Sequence, residues 1–179
     1  MLRGLAAVLL AATPAWASER CESVVHFSGA VTDCRGRVLL FADRSFLAFF
    51  ETGNARFEDA GRAERIIAEA AAHFDQLRRI AAGEVPDTRL EAEAVFVHVV
   101  AYAPDVAAEA EAVTLAAQRA RVVAERLGEF GVPPNRMVLS AKVDGGLLDP
   151  SDPAHPVNRA VVLLFRSDAA PLGLQPVQP

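Results

Sequence analysis

The chain has 179 residues, 52% of them hydrophobic, and a formal net charge of -5. That length fits one domain of ordinary size, and the apolar fraction excludes a wholly disordered chain. Lys142 is the lone lysine among 18 basic residues, and the negative balance excludes a generic nucleic-acid binder.

Residues 1–17 read as a secretory signal peptide. Arg3 supplies the positive start, residues 5–12 the apolar stretch, and Ala15-Trp16-Ala17 the small-x-small cleavage site. The alternative is a retained N-terminal anchor, although the run falls short of the roughly 20 residues a spanning helix needs. Ser18, Glu19 and Arg20 precede Cys21, and those charges argue against lipid attachment there. In an exported chain, Cys21 and Cys34 are expected to form a disulfide. It would clip a short extension, residues 18–44, in which two apolar pieces (24–27 and 38–41) flank turn-forming residues as in a hairpin.

A strand is expected over residues 45–50, stopped by Thr52-Gly53-Asn54. Helical periodicity follows: Ile66, Ile67, Ala70, Ala71, Phe74 and Leu77 share one face, with Glu58 or Asp59 as the capping acid and Gly83 and Pro86 at the end. Its outer face offers Glu58/Arg62, Arg65/Glu69 and Asp75/Arg79 as surface pairs. Residues 95–102 form a strand that is apolar on both faces except at His98, as in the centre of a sheet. A second helix is expected over 107–130, with Gly131 as its stop. A strand over 137–143, a loop over 144–156 and a last strand over 157–165 follow. The tail from Ser167 reads as disordered. The order strand, helix, strand, helix, strand, strand is a two-layer α/β sandwich.

The four histidines are scattered without helical ligand spacing, so no metal centre is expected. No nucleophile elbow and no phosphate-cradling glycine loop occurs, so neither catalysis nor a cofactor is expected. The informative residue is Arg119. It interrupts the apolar stripe formed by Leu115, Val122, Val123, Leu127 and Phe130. A charge there needs a carboxylate partner or a route to water. Asp105, in the turn before the helix, is the candidate partner. The two could form an internal ion pair, or could bind the carboxylate and ammonium ends of a zwitterion.

Residues 46–165 resemble the OmpA-like peptidoglycan-binding domain family. The resemblance rests on an ordered set of pieces. Residues 49–57 are similar to its first strand and turn, and residues 97–105 to its strand ending in Gly-His-Thr-Asp. Residues 115–123 resemble its L-S-x-x-R-A-x-x-V helix, residues 131–137 its link into the third strand, and Asn158-Arg159 its N-R start of the last strand. The resemblance implies a β/α/β/α/β/β fold with a mixed sheet over residues 45–166. It also implies noncovalent binding of the diaminopimelate in peptidoglycan stem peptides, by Asp105 and Arg119 with Arg159 nearby. An exported envelope protein is then expected, periplasmic and associated with the cell wall or outer membrane, with no transmembrane segment in the mature chain. Pro104, Ala112, Ala116 and Ala160 stand where the family carries polar residues. Their loss removes hydrogen bonds from the site. The alternative expectation is therefore a degenerate module that is structural or binds envelope proteins without a glycan ligand.

Overall fold

The computed structural model describes residues 24–25, 30–32, 38–41, 46–84, 94–104, 109–142, 149, 151–152, 155–169 and 175–177. The expected signal peptide and the Cys21–Cys34 disulfide lie outside the described residues.

Strand β4 (Phe46–Phe49), counted after three short strands near the N-terminus, alternates strictly. Phe46 and Ala48 are buried toward the helices, while Leu47 and Phe49 are half-buried. Asp59 then caps helix α1 (Ala60–Ala81), its carboxylate accepting the Arg62 amide at 2.9 Å. Ala63, Ile67, Ala70, Ala71, Phe74 and Leu77 carry its buried stripe. Ile66, expected on that face, is only half-buried. On the outer face Asp75 pairs with Arg78 at 2.8 Å, one place earlier than the Arg79 expected. Arg79 instead reaches Glu84 beyond the helix end, at 3.3 Å.

Strand β5 (Phe96–Tyr102) is buried on both faces because it is central, between antiparallel β7 (Ala160–Arg166) and parallel β6 (Met137–Lys142). Helix α2 (Glu109–Glu129) joins β5 to β6, the crossover that a parallel pair requires. It ends at Gly131, whose φ of +91° belongs to glycine, while the Val132 amide donates to the Leu127 carbonyl at 3.0 Å. The sheet order is β4-β7-β5-β6, with a two-residue strand β8 (Gln175–Pro176) on the β6 edge. Both helices cover one face, where the core gathers Phe50, Phe74, Val97, Val99, Leu127, Leu163 and Phe165. The mixed β/α/β/α/β/β sandwich expected from the sequence is present.

Three expectations need correction. The last strand begins at Ala160 and not at Val157, because Pro156–Arg159 form a 3-10 turn that Pro156 opens and Asn158 locks. The N-terminal piece is no simple hairpin: β1 (Val24–Val25), β2 (Ala30–Thr32) and β3 (Val38–Phe41) form a three-stranded antiparallel sheet whose β3 packs against β7. The tail is ordered in part, since β8 pairs antiparallel with β6.

On the sheet face away from the helices His98 is fully buried, opposite Leu164 of β7 and Val138 of β6. Its Nε2 donates to the Asp168 carbonyl at 2.9 Å, while Nδ1 meets no partner among the described residues. Burial pushes the imidazole below its ordinary pKa, outweighing the raising effect of the Asp168 carbonyl. A neutral, packed histidine is what its place among the strand valines implies. No helix among the described residues is long and apolar enough to cross a membrane.

Candidate functional site

The carboxyl ends of β4 and β5 and the start of β7 meet at one end of the sheet, where a turn leads from β4 into α1. The turn is self-made. The Glu51 amide donates to the Arg56 carbonyl at 2.9 Å, and Gly53 takes a φ of +69° that suits glycine. The Asn54 side chain accepts the Arg56 amide at 2.8 Å and donates to the Glu51 carboxylate at 3.0 Å. Arg56 pairs with the same carboxylate at 3.0 Å. Local residues thus shape the turn, but its inward carbonyls need donors from elsewhere.

Arg119 supplies them. Its position on α2 aims the side chain at the turn, and it is completely buried, the largest such residue among those described. Nε donates to the Asn54 carbonyl at 3.0 Å, Nη2 to the Glu51 carbonyl at 3.0 Å and Nη1 to the Tyr102 carbonyl at 2.8 Å. The guanidinium also lies 5.5 Å from the Phe50 ring centroid. Three of its five donors therefore tie the β4–α1 turn to the end of β5. Snorkelling to water, one of the sequence-level options, is excluded by this burial.

Arg159 approaches the same turn from the other side. Its Nε donates to the Phe50 carbonyl at 3.3 Å, and its own carbonyl accepts the Phe50 amide at 3.2 Å. Arg159 is only half-buried. The structure thus brings Arg119 and Arg159 together on one short run of backbone. Asp105 lies outside the described residues; the chain leading to it leaves β5 past exposed Pro104. Ala112 and Ala116 are buried, and Ala160 is buried opposite Phe49.

Asn158, the first residue of the N-R pair, has a structural role of its own. Fully buried, it accepts the Asp149 amide at 2.8 Å and donates to the Asp149 and Asp152 carbonyls, both at 2.9 Å. Its signal was an amide side chain, able to donate and accept at once, beside a proline-punctuated loop. Asp149 also accepts from the Ser151 hydroxyl and amide, and these bonds hold its carboxyl below the ordinary range.

On the outer side of the turn, Phe49, Arg62, His155 and Pro156 border a cleft of about 350 Å³. Arg62 lies over the Phe49 ring at 5.5 Å, and neither Arg119 nor Arg159 lines this cleft. Among the described residues no group of three or more His, Cys, Asp or Glu is placed to hold a metal ion.

No protein-family model matches the sequence, and no curated protein matches it. Solved structures do resemble it. The OmpA-like domain of FopA1 from Francisella tularensis superposes with a TM-score of 0.52 at 14% identity, over 88% of this chain and 83% of that one. The peptidoglycan-associated lipoprotein from Burkholderia pseudomallei gives 0.50 at 14% identity, over 68% of this chain and 90% of that one. With two helices on one face of a β4-β7-β5-β6 sheet, and with these neighbours, the chain has the OmpA-like fold.

Proposed function

We propose that this is an exported cell-envelope protein whose OmpA-like domain binds peptidoglycan noncovalently through the diaminopimelate of its stem peptides. Asp105, Arg119 and Arg159 form the site, and the protein works in the periplasm, associated with the cell wall or outer membrane. One observation carries the reading. Two arginines from separate elements converge on the carbonyls of a single turn, at the sheet end whose next loop holds Asp105. Two guanidinium groups suit the carboxylate of a zwitterion, and in this reading Asp105 takes its ammonium. The likeness in fold to a peptidoglycan-associated lipoprotein supports the reading. In this arrangement Arg159, half-buried, meets the ligand carboxylate first, and Arg119 lends charge from beneath while fixing the turn.

Cosedimentation of the mature protein with purified sacculi tests the proposal. Binding at physiological salt is expected, and Arg159→Ala should weaken it about tenfold, the loss of one charge-assisted hydrogen bond. No sedimentation of the folded protein rejects the proposal.

A second reading has its own observation. Arg119 donates to three main-chain carbonyls, and buried Ala112 and Ala116 stand where the family that the sequence resembles carries polar residues. Both features favour a structural or protein-interaction module in the envelope with no glycan ligand. That reading expects Arg119→Ala to lower stability with envelope association unchanged.

A further inference from the structure

The cleft on the outer side of the β4–α1 turn is built separately from the arginine site. Three elements wall it: Phe49 at the end of β4, Arg62 in the first turn of α1, and His155 with Pro156 where the 3-10 turn opens. Glu58 and Asp59 complete its rim. Main-chain bonds hold these walls. The Glu58 amide donates to the Phe49 carbonyl at 3.0 Å, and the Arg62 amide to the Asp59 carboxylate at 2.9 Å. The His155 amide donates to the Asp152 carbonyl at 2.9 Å, and its Nδ1 accepts the Val157 amide at 3.2 Å. With Nδ1 an acceptor, the proton of the neutral ring sits on Nε2, which is left as a donor.

Glu58 and Arg62 are spaced for a surface pair and do not form one. The guanidinium instead lies 5.5 Å from the Phe49 ring centroid, and neither side chain makes an ion pair among the described residues. That distance is near the outer reach of a cation–π contact, and the Phe49 ring remains part of the cleft wall. The charges around the cleft are thus of both signs, which selects the ligand. Two carboxylates repel an anion, and a guanidinium repels a cation. A wholly apolar ligand would strip water from these groups without replacing its hydrogen bonds. A neutral ring bearing hydroxyls satisfies all of them, since a hydroxyl donates to a carboxylate and accepts from Arg62 or from His155 Nε2. At about 350 Å³ the cleft lies at the low end of the roughly 300–1,000 Å³ typical of small-ligand sites, which suits one such ring.

We propose that this cleft is a sugar subsite, in which one pyranose ring lays its C–H face on Phe49 and bonds its hydroxyls to Glu58, Arg62 and His155 Nε2. The sugar chemistry stands on the cleft alone; that the ring belongs to a peptidoglycan glycan strand rests on the function proposed above. The cleft and the arginine site share the strand end at Phe49-Phe50 and the turn from Pro156 to Arg159. Glycan and stem peptide would therefore meet neighbouring faces of one turn.

Saturation-transfer NMR of the mature protein with peptide-free glycan strands, and separately with maltotetraose, tests this. Transfer to the ring protons that saturates with sugar concentration is expected. Binding of the glycan strands assigns the ring to peptidoglycan, and binding of maltotetraose alone assigns it to another polysaccharide. Phe49→Leu keeps the apolar bulk but loses the flat face, and should weaken binding about fivefold. Arg62→Ala breaks no ion pair and should weaken it about tenfold. Free diaminopimelate should leave sugar binding unchanged. Three results would overturn the proposal: no transfer to either sugar from the folded protein, wild-type affinity in both variants, or displacement of the sugar by diaminopimelate. Sugar binding without cosedimentation on sacculi would reject the arginine site and leave the cleft standing.

Discussion

Removing the Arg119 side chain is the most informative perturbation of this fold. Arg119→Ala strands the carbonyls of Glu51, Asn54 and Tyr102, which now receive three donors at 2.8 to 3.0 Å. Each buried acceptor left unmet costs about 1–3 kcal/mol, and losing the packed side chain adds a cavity. Water entering the void offsets part of this, so the expected net loss is about 4–6 kcal/mol. Against a total stability of about 5–15 kcal/mol, that is a large share. Arg119→Lys keeps a charge but replaces a planar fork with a point donor that cannot serve three diverging carbonyls. It should lose about 2–3 kcal/mol, an intermediate value that reports on geometry and not on charge. Urea unfolding followed by circular dichroism measures both variants, with the slope against denaturant checked for constancy. A loss below about 1 kcal/mol for Arg119→Ala, at unchanged slope, would refute the idea that this arginine holds the turn to the sheet.

Other consequences are open to simple measurement. Asn158→Leu removes the side chain that meets three backbone groups of Asp149 and Asp152, and should cost about 2–4 kcal/mol. Limited proteolysis should then cut sooner near Ser151. Gly131→Ala forces a Cβ into a backbone with φ of +91° and should lower stability by about 1–2 kcal/mol, with nothing within 4 Å to clash, so thermal melting reports backbone strain alone. His98 has a pKa lowered by burial, so acid favours the unfolded state, which binds the proton more readily. Its contribution is complete above about pH 6.5 and is lost as pH falls through the lowered folded value. His98→Gln, which keeps a donor for the Asp168 carbonyl but cannot titrate, should flatten the stability profile below about pH 6.5.

The periodic elements were legible before any coordinates. The α1 stripe from Ile67 to Leu77, the doubly apolar β5, and the glycine stop at Gly131 each follow from local rules of spacing, burial and backbone freedom. Arg119 also announced itself, since a charge in an apolar stripe demands an explanation. What satisfies it did not, because Asn54, Glu51 and Tyr102 are distant in sequence and act through carbonyls that every residue possesses. The same limit hid Asn158, whose partners are main-chain groups, and the pairing of β8 with β6, which depends on an open sheet edge and not on strand propensity. Side-chain chemistry and periodicity are written locally, so the sequence alone determined which elements form and which charge is out of place. Backbone hydrogen bonding carries no residue signature, so only the assembled sheet decided which carbonyls that charge would meet and which edge the tail would cover.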